Sequence, residues 1–289
     1  MKILVTGARG LVGRAVTEYC KARGDHVTAV DHGSLDISHE QSVQRVVADA
    51  NSDVVINCAA WTDVDGCESD PDHARRANAL GPELLARACR DTRSLLITIS
   101  TDYVFDGANL GFYTQRDQPN PQSVYAHSKF DGEQRAQLVS AHTIVVRSGY
   151  IFGTGGKNFL STFLGPAHRG HQLRAINDMV GTPTYAPDLA ARLRLLAEID
   201  LPGIYHVVNA GDGASFETFA RAGLRLANID EGLIQPVSLS DLNRPAPRPR
   251  NSRLRCLLSE AVGIEPLRDW RAALQEFVAT SVQQPTISD

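Results

Sequence analysis

Short aliphatic and β-branched runs punctuate the first half of the chain: 2–5 (KILV), 26–30 (HVTAV), 53–57 (DVVIN), 95–100 (LLITIS) and 143–147 (TIVVR). Longer stretches with apolar positions at helical spacing separate them. That alternation predicts βαβ units and an α/β fold, a doubly wound parallel sheet covered by helices on both faces. Local start signals agree with the period. Ser38-His39-Glu40-Gln41 reads as a capping box opening the helix after the second run, and Pro71 as the first-turn proline of a later helix.

Past about residue 150 the rhythm loosens into FGTGGKNF, NDMVGTPT and the proline-rich RPAPRPRNSRL, with one late strand expected at 204–208. This is how a smaller C-terminal lobe closing over a ligand reads, although irregular packing at the end of a single domain leaves a similar trace. The expected division is a main domain of 1–148 and roughly 185–208, a ligand-binding lobe of roughly 149–184 and 209–275, and a frayed tail at 280–289.

At 289 residues a sizeable core is available, and 43% hydrophobic with 21% charged residues is ordinary globular composition. A formal net charge of −4 carries no electrostatic footprint for nucleic acid or an anionic membrane. Five widely spaced cysteines without a C-x-x-C pair read as reduced thiols, so a cytoplasmic setting is expected. The first glycines of MKILVTGARG arrive before a signal-peptide core could form, and no apolar run approaches membrane-spanning length.

Thr6-Gly7-Ala8-Arg9-Gly10-Leu11-Val12-Gly13 follows the first run directly and leads into a helical pattern. In this G-x-x-G-x-x-G spacing Gly7 permits a tight turn, Gly10 lets the backbone approach a pyrophosphate, and Gly13 packs helix against strand. The amides of the helix start, at Leu11 and Val12, then face the phosphates. Such a loop at the head of a βαβ chain predicts a Rossmann-type dinucleotide site; a purely structural turn is the bland alternative. Asp31 ends the second strand, where a carboxylate accepts hydrogen bonds from an adenosine ribose and repels a 2′-phosphate. That favours NADH over NADPH, while Arg9 leaves a phosphate partner and dual use open. Asp36 and Ile37 are expected near the adenine, and Ala59, Ala60 and Trp61 beside the phosphates.

Tyr125 and Lys129 stand four residues apart, on one face of a helix. A cation beside a phenol lowers its pKa, so the pair can trade a proton with a carbonyl oxygen, the oxygen-end chemistry of a hydride transfer. Between this pair and the glycine loop, an apolar strand ends abruptly in Ser100, Thr101 and Asp102. Ligands of open parallel sheets bind beyond the carboxyl ends of strands, which puts these groups over a nicotinamide beside Tyr125. A hydroxyl there can polarise a substrate carbonyl; a strand cap and a turn are the structural alternative.

With these residues in place the chain resembles the extended short-chain dehydrogenase/reductases and, within them, the dTDP-4-dehydrorhamnose reductase family. The likeness runs through TGARGLVG (6–13), VINCAAWTDVDGCE (55–68), STDYVFDG (100–107), YAHSK (125–129), GGKNF (155–159), DMVGTPT (178–184) and RPRNSRL (248–254). It implies reduction of the 4-keto group of a dTDP-linked deoxy sugar, in the family's usual pathway dTDP-4-dehydro-L-rhamnose to dTDP-L-rhamnose. It also implies a proton-donor role for Tyr125, a ribose-holding role for Lys129, and sugar contacts for Thr101 and Asp102. Asn158, Arg248 and Tyr150 would face the nucleotide sugar, and Asn78 matches an asparagine that supports the lysine, with a helix-start role as the simpler reading. Two positions depart from the pattern: Tyr150 stands where the family has tryptophan, and Met179 where it has glutamine. Ala15 stands where some relatives place a magnesium-binding acid, so no metal is expected, and assembly as a homodimer stays open. Three alternatives remain. Dehydratases of this fold carry Thr-Asp-Glu where this chain has Thr101-Asp102-Tyr103, which disfavours elimination. Reduction of a different dTDP-deoxysugar is the nearest rival, and a cofactor-binding regulatory subunit is the rival of another class.

Overall fold

The computed structural model describes residues 1–156 and 158–283. Strands β1 (Lys2–Thr6), β2 (His26–Val30), β3 (Val54–Asn57), β4 (Leu95–Thr101) and β5 (Thr143–Ser148), with the strand Gly203–His206, form one parallel sheet. From one edge the order is Gly203–His206, β5, β4, β3, β1, β2. The late strand is shorter than expected and ends at His206, although the Val207 amide still reaches the Arg147 carbonyl.

Successive residues on the strands feed opposite cores. Ile3, Val5 and Ile56 meet Val16 and Cys20 of helix α1 (Leu11–Ala22) and Leu189, Leu193 and Leu196 of the helix Ala186–Ile199. Leu4, Val55 and Leu96 meet Val43, Val47, Leu84, Leu85 and Ala136 from three helices on the other face. Burial on both faces is why the centres of β1, β3 and β4 are nearly all apolar and do not alternate. The chain leaves β1 for β2 on one side and returns to β3 on the other, so a crevice opens at the carboxyl ends of β1 and β3.

The helix after β2 begins at Glu40 rather than at Ser38, and His39 is its cap, Nδ1 accepting from the Ser42 amide at 3.3 Å. Ser38 turns back instead: its amide and hydroxyl both donate to Asp36, at 2.9 and 2.8 Å. Pro71 does occupy the first turn of a helix.

Beyond β5 the chain builds a second core around Phe152, Leu160, Phe163, Phe219, Trp270 and Phe277. Its strands are pairs of two to four residues, such as Leu173–Ile176 with Ile234–Val237, too short to show a period in sequence. The helix Trp270–Gln283 reaches into the segment expected to fray, and 284–289 lie outside the described residues. No helix among the described residues is long and apolar enough to cross a membrane.

Candidate active site

Two cavities meet over the glycine loop. The first, about 540 Å³, is lined by Gly7, Gly10, Asp31, Asp36, Ile37, Ala59, Ala60 and Trp61. Gly7 has φ +65°, and a side chain there would place its first carbon 2.6 Å from the Ala59 amide nitrogen. A Cβ at Gly13 would lie 2.2 Å from the Gly7 carbonyl oxygen, so helix and turn touch backbone to backbone. Gly10 is the N-cap of α1 and offers no side-chain cap, leaving first-turn amides free for an anion. Asp31 accepts from the Ser34 amide and hydroxyl and pairs with the Arg9 guanidinium at 2.5 Å. Those Ser34 bonds, and Arg9 with them, hold its carboxyl below the usual carboxylate range.

The second cavity, about 460 Å³, takes in Leu11 and Val12 of α1, Ser100 to Tyr103 at the end of β4, Tyr125, Lys129 and Tyr150. Tyr125 and Lys129 lie on the helix Val124–Val139, whose first turn is fixed twice: Ser123 caps it, and the Val124 amide donates to Glu68 at 2.8 Å. Lys129 Nζ donates to the Ile99 carbonyl at 2.6 Å, anchoring the lysine to β4. The expected depression of the Tyr125 pKa is not present. Burial raises it above the ordinary phenol value, only partly opposed by the hydrogen bond with Thr101, because the lysine is engaged with β4 and not with the phenol. A phenol that keeps its proton is suited to donating one. Asn78 sits in a π-helical turn, where its amide brackets Trp61 (2.9 and 3.0 Å) and donates to Ser128 at 3.1 Å; it supports the lysine's helix rather than the lysine itself.

Asp102 lines this cavity as expected, but its carboxylate is engaged within the protein. Its carboxylate turns inward, accepting from Thr101 at 3.1 Å and from Ser252 at 2.5 Å, and burial pushes its pKa up to about 6. Gly149 makes the space, since a Cβ there would fall 2.2 Å from the Asp102 carboxyl carbon. Asn158 lies outside the cavity linings, with its amide donating to the Gly153 and Gly156 carbonyls at 2.7 and 3.1 Å, so it shapes its own loop. Tyr150 is at the wall as expected, with φ +50°, its ring against Phe216 and Phe219. Tyr103, Phe159, Met179 and Phe216 lead on to a third space of about 320 Å³ that contains Arg174, Arg244 and Arg248. Arg248 is held there by a bidentate pair with Asp65, at 3.0 and 2.9 Å. Asp65, Ser252 and Gly149 were not singled out from sequence. The first two stand inside motifs quoted above, VINCAAWTDVDGCE and RPRNSRL, but nothing local shows that their partners lie across the molecule.

The buried hydroxyls of Ser100 and Ser148 have no hydrogen-bond partner among the described residues, and both line the 460 Å³ cavity. Unmet donors beside a backbone cradle that any side chain would fill are what a dinucleotide requires. The residues present therefore fit such a cofactor. The model of the RmlD substrate binding domain matches residues 1–283. Over 279 residues the chain is 40% identical to dTDP-4-dehydrorhamnose reductase of Streptomyces griseus, covering 94% of this chain and 91% of that protein. A dTDP-4-dehydrorhamnose reductase from Clostridium acetobutylicum superposes with a TM-score of 0.94 at 35% identity, over 98% of this chain and 100% of that one. A Bacillus anthracis dTDP-4-dehydrorhamnose reductase in complex with NADP has a TM-score of 0.93 at 31% identity, over 97% and 100% of the two chains. By sequence and by fold alike, the chain belongs to the dTDP-4-dehydrorhamnose reductase family.

Proposed function

We propose that this protein reduces the 4-keto group of a dTDP-4-dehydro-6-deoxy sugar, dTDP-4-dehydro-L-rhamnose first among them, to the alcohol. The observation that carries the reading is the convergence of Thr101, Tyr125 and Lys129 on one cavity that adjoins the glycine-loop trough. A bound reduced nicotinamide supplies the hydride. Gly10, Leu11 and Val12 would present amides to its phosphates, and Lys129 would hold its ribose. Thr101, its hydroxyl turning from Asp102 to the substrate carbonyl, donates a hydrogen bond there, and Tyr125, held protonated by burial, delivers its proton as charge develops on that oxygen. Arg174, Arg244 and Arg248 suit the substrate's diphosphate. The sheet with the helix Ala186–Ile199 forms the cofactor domain in this reading, and the core around Phe219 and Trp270 the sugar lobe. Five free cysteines accord with a cytoplasmic setting.

Arg9 already neutralises Asp31, so the carboxylate's bias toward NADH is blunted and the site accepts either NADH or NADPH. A different dTDP-deoxysugar is the second reading, favoured by Tyr150 and Met179 at the cavity wall. A regulatory role without catalysis is disfavoured by the presence of all three reactive groups. The test supplies dTDP-4-dehydro-6-deoxy sugars of each C3/C5 configuration to the purified protein and follows oxidation of NADH and NADPH. Turnover of one configuration, lost by roughly 10²–10⁴-fold in Tyr125→Phe with NADH binding retained, is expected. Failure of every sugar, or full activity in the variant, overturns the reading.

A further inference from the structure

The helix that carries Tyr125 and Lys129 has a third buried polar residue on the same stripe, Glu133. Its carboxylate is 2% exposed and grips Arg147 of β5, 3% exposed, through three hydrogen bonds of 3.0, 3.2 and 2.7 Å. A buried pair of this kind is weak evidence for stability, because desolvating two charges offsets most of their attraction. Its direction is more informative. Glu133, the negative end, stands one turn beyond Lys129 on the same buried stripe, where its charge supports the ammonium form of the lysine. The positive end lies over the Phe105 ring at 5.2 Å, opposite His206 in the strand register, where it works with burial to keep that imidazole neutral. With both ends buried, the pair is a fixed dipole beside the lysine, little screened by solvent.

We propose that Glu133 and Arg147 are positioning residues that hold Lys129 in its ammonium form during the reaction, Glu133 facing the lysine and Arg147 keeping Glu133 ionised and aimed. The proposal rests on the reading of Lys129 as the ribose-holding residue of the active site. Without such a partner, burial would discharge the amine: even beside Glu133 it drives Lys129 down to about 8. Of the other titratable groups around the lysine only Asp102 is an anion at neutral pH, and its carboxylate is held by Thr101 and Ser252. The Cys58 thiol, after β3, is pushed up to about 12 by burial; Tyr125, on the same helix, is raised as well; and Asp102, after β4, is pushed up to about 6 and engaged with Ser252. From β4 itself Lys129 receives only the Ile99 carbonyl.

The chain has four lysines, so the ε-nitrogen of Lys129 can be titrated by NMR in the cofactor-free protein, in parallel with kcat/KM against pH. In Glu133→Gln the Lys129 midpoint is expected to fall by about one pH unit, and the alkaline limb of kcat/KM to move with it. Glu133→Asp restores most of the shift. Should Glu133→Gln fail to fold, Glu133→Gln/Arg147→Leu removes both charges without leaving one buried alone, and the same shift is expected. A folded double variant whose Lys129 titrates as in the parent overturns the proposal. A lysine midpoint that moves while the activity limb stays still leaves the dipole standing and removes Lys129 from the mechanism.

Discussion

The cavities proposed as cofactor trough and sugar cavity share Gly10, Cys58 and Ala60, yet they are built in opposite ways. The trough is a backbone structure: Gly7, Gly10 and Gly13 lie in one turn, and its tightest contacts are between main-chain atoms. The cavity is a side-chain structure drawn from across the chain. Asp102 meets Ser252 over 150 residues, and Asp65 meets Arg248 over 183. A site made of backbone in contact with backbone has no slack, whereas one made of hydrogen-bonded side chains can yield at one contact and keep the rest. Mutations on the two sides should therefore fail differently, abruptly in the trough and by degrees in the cavity.

The largest effect is expected at Gly13. One methyl group there would lie 2.2 Å from the Gly7 carbonyl oxygen, and neither neighbour is a side chain that can swing aside. Gly13→Ala should push α1 off the turn, destabilising the protein by about 2–3 kcal/mol and weakening NADH binding by roughly a hundredfold, about 3 kcal/mol. Thermal unfolding and fluorescence titration read the two quantities. Near-parental affinity would show that the trough is more compliant than its geometry states.

On the other side, Ser252→Ala deletes one hydroxyl that links the segment 248–254 to Asp102 at the end of β4. Asp102 then loses the hydrogen bond that favours its ionised form, so its pKa moves further above about 6. Loss of a bond to a buried carboxylate amounts to about 1.5–3 kcal/mol. The expected result is a KM for the sugar raised about tenfold, with NADH affinity unchanged. Equal losses for cofactor and sugar would mean that the two regions are mechanically one.

The same contrast explains what was legible in the sequence. Strands β1, β3, β4 and β5 stood out because burial on both faces leaves runs such as Leu95–Ile99 with Thr98 as the one polar position. The glycine loop and the Tyr125/Lys129 pair stood out because their chemistry is carried by fixed short spacings. The inward turn of Asp102 did not, since a carboxylate at a strand end looks the same whether it meets sugar or Ser252. Asn158 was assigned to the sugar by its motif, while its amide in fact completes a local loop. The Tyr125 pKa was misjudged because spacing places Lys129 on the right face but says nothing of the Ile99 carbonyl that takes its ammonium. The second core was hidden by two-residue strands.

The smallest effect is expected where the trough itself relies on a side chain. Asp31 lies at its rim, paired with an Arg9 side chain that is 83% exposed, so solvent screens both. Removing the carboxylate in Asp31→Ala leaves the backbone cradle untouched and frees the Arg9 guanidinium to meet a 2′-phosphate. Affinity for NADH should fall only severalfold, because two ribose hydrogen bonds at an exposed rim are replaced by water. The NADPH to NADH ratio of kcat/KM should rise by roughly tenfold, and the gain should shrink as salt is added. Arg9→Ala in the same background is expected to remove it. If the ratio is unchanged in Asp31→Ala, the carboxylate is only the cap of its own turn through Ser34, and cofactor choice is made by groups elsewhere along the trough.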